Sequence, residues 1–87
     1  MAEFFDQLVT LCGPEMNAAM KDGDLDRAGA VIEGLATMLG RSIARAAGGD
    51  TREIDKMLTA CEQHVAAEAA GIAGVMNLAK ALRAHRG

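Results

Sequence analysis

Tryptophan and tyrosine are absent, and Phe4 and Phe5 are the only aromatic residues. A chain without large rings has few bulky side chains to fill a core. It also lacks the stacking platforms on which unpaired bases are usually held. Proline occurs once, at Pro14, so elsewhere nothing forbids long helices. Two cysteines, Cys12 and Cys61, are too few for a disulfide framework. Both fall at apolar positions of helical patterns, where cysteine behaves as a small hydrophobe. Alternation of apolar and polar residues is never sustained, so no strand is expected. No glycine-rich loop follows a strand, and no serine or cysteine sits in a nucleophile motif. With histidine only at His64 and His85, the expectation is a non-enzymatic chain.

Hydrophobic residues make up 51% of the 87, many of them alanine, and charged residues 24%. This composition argues against disorder. A chain of this length buries roughly 60–65% of its unfolded surface, which leaves room for help from a second chain. The net charge of −3 gives no general footprint for nucleic acid. Charge is unevenly spread: residues 1–40 carry seven acids against Lys21 and Arg27, whereas after Glu68 only Lys80, Arg83 and Arg86 are charged. Three cations in "KALRAHRG" are too few for nucleic-acid binding or stable membrane anchoring. The start, "MAEFFDQLV", lacks a basic region followed by an apolar run. The weakly polar stretch Ala69–Ala79 is shorter than a bilayer-spanning helix requires. A soluble, cytoplasmic protein with no membrane and no nucleic-acid partner is therefore expected.

Apolar spacing predicts helices over about 2–12, 14–21, 24–47 and 51–83 in a single all-α domain. Gly13-Pro14 either kinks the first segment or divides it into the first two, because proline inside a helix loses a hydrogen bond. Leu25, Ala28, Ile32, Leu35, Leu39, Ser42 and Ala46 keep spacings of three and four. Gly48-Gly49 ends that run, and Asp50-Thr51-Arg52-Glu53 reads as a capping box with Glu53 reaching back. The last segment is the most regular. Ile54, Leu58, Cys61, Val65, Glu68, Ile72, Val75, Ala79 and Leu82 alternate spacings of four and three, a heptad seam broken only by Glu68.

Such a helix is about 50 Å long, whereas a compact chain of this size is only about 30 Å across. Either it breaks near Gly71 or Gly74, or its C-terminal half packs against another chain, and the second is expected. The expected architecture is a small helical bundle, two or three shorter helices packed on one long C-terminal helix and completed by dimerisation. Ile72, Val75, Ala79 and Leu82 are the expected contacts between chains. Ala70, Gly71 and Gly74 would allow close approach.

Two clusters invite a metal. In Lys21–Glu33, "KDGDLDRAGAVIE", Asp22, Asp24, Asp26 and Glu33 match the side-chain ligand positions of an EF-hand loop. Arg27 stands where that loop requires glycine, and Leu25, Ala28 and Ile32 keep helical spacing through it. A turn is the better account, with Asp24 capping the second helix. The six residues "GDLDRA" are similar to turns of tetratricopeptide-type helical hairpins, which implies helix–turn–helix. No thirty-four-residue period follows. The second cluster is Cys61, His64 and Glu68, on one face of the last helix. Thiolate, imidazole and carboxylate suit a divalent transition metal, but one helix cannot close the site and a partner chain would have to. The competing expectation is a seam cysteine beside a histidine–glutamate pair, with no cofactor.

Overall fold

A computed structural model describes residues 2–86. Three helices and no strand are present among the described residues: α1 (Ala2–Asp22), α2 (Leu25–Ala46) and α3 (Thr51–Arg86). The chain is all-α. It divides into two compact units at the Ser42–Ile43 step, inside α2.

In the first unit, α1 and α2 form a helical hairpin. Gly23 ends α1 in the left-handed region, at a φ of 68°. Its N–H donates to the Met20 carbonyl at 3.2 Å, and the Asp24 N–H donates to that of Ala19 at 2.8 Å. This pair of bonds is a Schellman closure, which satisfies carbonyls that a helix end leaves open. Asp24 at once starts α2: its Oδ1 accepts the Arg27 N–H at 3.0 Å. The suggested calcium pattern is thus a stop and a cap placed back to back, with Asp26 and Glu33 inside α2.

Beside the turn, Ala19 and Ala28 are buried, while Leu8, Cys12, Met16 and Val31 are half-buried. Small residues at the closest point let two helix backbones approach. Across the hairpin, Arg27 donates from both Nε and Nη2 to Glu15 Oε2, at 3.1 and 2.9 Å. The hydrogen bond and charge of Glu15 hold the Arg27 guanidinium above its usual pKa. Both side chains are substantially solvated, so the pair orients the hairpin more than it stabilises it.

Gly13-Pro14 does not divide α1, which is one helix of 21 residues. Pro14 cannot donate to the Thr10 carbonyl. Thr10 itself turns its hydroxyl onto the Asp6 carbonyl at 2.9 Å, one turn earlier. Leu8, Cys12, Met16 and Ala19 keep one stripe in register across the proline, and their partial burial favours a continuous helix over a break.

The second unit holds the end of α2 and all of α3. Gly48 and Gly49 both take positive φ, 60° and 79°. The Gly48 N–H bonds the Arg45 carbonyl and the Gly49 N–H that of Ala44, each at 3.1 Å, repeating the first closure. Asp50 caps α3, its Oδ1 accepting from the Arg52 N–H at 2.9 Å and the Glu53 N–H at 3.4 Å. The expected capping box is only half made. Glu53 turns outward to Lys56 at 3.4 Å, and the Asp50 N–H is satisfied by the Ala47 carbonyl at 3.1 Å. Burial in this unit gathers near the turn: Ile43 is buried, and Ala47, Ile54, Met57 and Cys61 are half-buried.

Candidate interaction surface on the third helix

α3 has 36 residues, about 54 Å of helix, and it continues through Gly71 and Gly74 without a break. Its composition explains this. Alanine, leucine, methionine and glutamine are good helix formers, and they outweigh two glycines costing roughly 1 kcal/mol each. Glu53 in its first turn and Arg83, His85 and Arg86 in its last complement the helix dipole.

The heptad seam lies along one side of this rod. Near the turn it is partly covered, at Ile54 and Cys61. Beyond Cys61, Val65 is 57% exposed, Ile72 59%, Val75 66% and Leu82 58%. None of the described residues of α3 is buried, and Ala79 is half-buried. Heptad geometry also places Met76 and Leu78 directly beside the seam, and both are exposed. They were legible in the spacing once flanking positions are counted together with seam positions.

The small residues divide between two faces. Gly71 flanks the seam. Ala70 and Gly74 fall about 200° from Glu68 and Ile72 respectively, on the outer side of the helix. A Cβ added at Gly71 or Gly74 would meet no neighbouring atom within 4 Å. Within the chain, therefore, neither glycine is there to admit a neighbour.

Cys61, His64 and Glu68 separate in environment. Cys61 is a half-buried free thiol, whereas His64 and Glu68 are exposed. His64 Nε2 lies 3.9 Å from Glu68 Oε1, an ion pair when the imidazole is protonated. No group of three or more His, Cys, Asp or Glu is arranged to hold a metal among the described residues of the single chain. Among the described residues, none of the buried ones is polar or charged. Two surface depressions are each lined by a single helix, one by Glu3, Asp6, Gln7, Thr10 and Leu11, the other by Ala30, Glu33, Gly34 and Thr37.

One property of α3 exceeds what the stretch Ala69–Ala79 implied. By length and composition alone the helix is long and apolar enough to cross a membrane. The difference arises because a spanning window tolerates a few charges, and the apolar run resumes on both sides of Glu68 and Asn77. No family model, curated protein or solved structure matches the chain.

Proposed function

We propose that this chain is a small, soluble, non-enzymatic helical module whose molecular activity is self-association through α3, in a structural or adaptor role in the cytoplasm. The observation that carries this is the seam from Val65 to Leu82, regular over roughly half of a long helix, apolar except at Glu68 and exposed except at half-buried Ala79. Magnitudes suggest how strong the pairing is. Leu58, Val65, Ile72, Val75 and Leu82 are each 41–66% exposed. Covering that exposed part is worth about 1 kcal/mol per side chain, or about 10 kcal/mol for a symmetric pair. Association costs about 4–15 kcal/mol in lost freedom. The two are close, so the oligomer is expected to form reversibly with concentration.

A bilayer is the less favoured destination for the same helix. Its apolar part is largely alanine and glycine, which gain little from lipid, and it includes Glu68 and Lys80. A charge at mid-membrane costs about 2.5–3.5 kcal/mol even on the mildest scale.

Native mass spectrometry of the purified chain, with a denatured control, tests the proposal. A dimer or a multiple of it without added mass is expected, and Ile72→Asp should shift it to monomer. A monomer at every concentration would overturn self-association, as would an Ile72→Asp variant that kept the wild-type oligomer. Stoichiometric extra mass lost on denaturation would favour a metal between chains at Cys61, His64 and Glu68. Co-sedimentation with phosphatidylcholine vesicles would favour membrane insertion.

A further inference from the structure

We infer that the occupant of the α3 seam is α3 of a second copy, running antiparallel, in a register centred on Ala70. This rests on the self-association proposed above and specifies its geometry. Three independent features of the helix point to it.

The first is charge along the helix. Glu53, Asp55, Glu62 and Glu68 outnumber Arg52 and Lys56 in the N-terminal half, whereas beyond Glu68 the charged side chains are Lys80, Arg83 and Arg86. Parallel pairing sets acid beside acid and base beside base. Antiparallel pairing sets each acidic half against a basic one, and opposes the two helix dipoles favourably.

The second is Glu68, the one acid in the seam. In a parallel, in-register pair it meets its own copy across the same layer, two carboxylates in a desolvated interface. In the antiparallel pair it faces Ile72 of the partner subunit, so the two carboxylates fall in separate layers, each with His64 of its own helix 3.9 Å away.

The third is register. An antiparallel coiled coil alternates the two kinds of seam position across each layer. Centring the pair on Ala70 sets Leu58 against the partner's Leu82 and Val65 against the partner's Val75. Cys61 then meets the partner's Ala79, small against small. On the flank, Asp55 meets the partner's Arg83 at both ends. Ile54, already half-buried near the turn, is left against the partner's Arg86; a shift of one heptad either way breaks the Asp55–Arg83 pairing. At the centre Ala69 and Gly71 flank the layer on either side, and both are small.

A spin-label distance separates the possibilities. Lys56 is exposed and on the side away from the seam. In this register it faces Ala84 of the partner subunit, so two labels at position 56 are offset by 28 residues, about 42 Å along the axis. In a parallel pair only the lateral separation remains, about 20–25 Å.

The experiment uses the full chain with Cys12→Ala, Cys61→Ala and Lys56→Cys, nitroxide-labelled. Its mass in solution is measured on the same sample, because Cys61 belongs to the seam. A dimer with a distance between about 42 and 50 Å is expected. Asp55→Arg should weaken that dimer, and Asp55→Arg with Arg83→Asp should restore it. A dimer with a distance below about 30 Å, or about 10 Å longer or shorter than expected, overturns the antiparallel register and leaves self-association standing. A monomeric sample without dipolar coupling, when the same chain carrying Cys61 is also monomeric, overturns both.

Discussion

Asp24 and Asp50 have the same task at the two turns. Each presents one carboxylate oxygen to the open N–H groups of a helix that begins immediately after a positive-φ glycine. Both were readable as Gly-Asp steps, because few residues other than glycine tolerate that backbone and few other than aspartate cap so well. Glu53 was less readable, since its choice between the Asp50 N–H and Lys56 depends on where a lysine one turn on reaches. Gly71 and Gly74 pose a sharper question at this scale. Neither has a neighbour within the chain, so Gly71→Leu and Gly74→Leu should each gain just under 1 kcal/mol of helix propensity. Position 74 lies on the outer side, and its variant is expected to unfold at higher denaturant with unchanged mass. Position 71 flanks the proposed crossing, where a leucine side chain would separate the two helices, so its variant should move toward monomer. Identical behaviour of the two variants would rule out a close crossing at Gly71.

For whole elements, local rules and packing compete, and α1 is where they disagree. Gly13-Pro14 is as strong a break signal as the chain contains, yet the helix passes through it. The same apolar stripe runs on both sides, and its partial burial against α2 outweighs one lost hydrogen bond. Sequence periodicity contained that stripe. What it could not weigh was burial against the proline penalty, because burial is set by a neighbouring helix. If the proline is carried at a cost, Pro14→Ala should restore the Thr10–residue 14 bond and stabilise the chain by about 1–3 kcal/mol. Urea denaturation measures this directly. A loss of stability instead would mean that α1 needs the proline's geometry to meet α2. α3 shows the opposite case, where heptad spacing, helix propensity and the observed element all agree, and where two interior glycines interrupt nothing.

At the scale of the whole molecule, the buried side chains set the limit. Among the described residues these are Ala19, Ala28 and Ile43, while leucines, isoleucines and methionines from all three helices remain exposed. Three such residues bury too little apolar area to offset the backbone entropy of a chain this long. The seam that would supply the rest was legible in the sequence as a spacing, but its occupant was not, because a spacing repeats identically whether a second copy or a lipid covers it. Association and folding should therefore be linked. Whatever binds the folded chain and not the unfolded one raises its apparent stability by mass action. For a self-associating chain that ligand is the chain itself, so the melting temperature should rise with protein concentration. A bilayer-bound or purely monomeric helix gives no such dependence in detergent-free buffer. Circular dichroism melts over a hundredfold range of concentration measure it. Wild type is expected to shift upward with each step, and Ile72→Asp to melt lower and at one temperature throughout. A wild-type melt that ignores concentration, at levels where the native mass is dimeric, would mean that the helices fold without the seam and that α3 pairs only after it is formed.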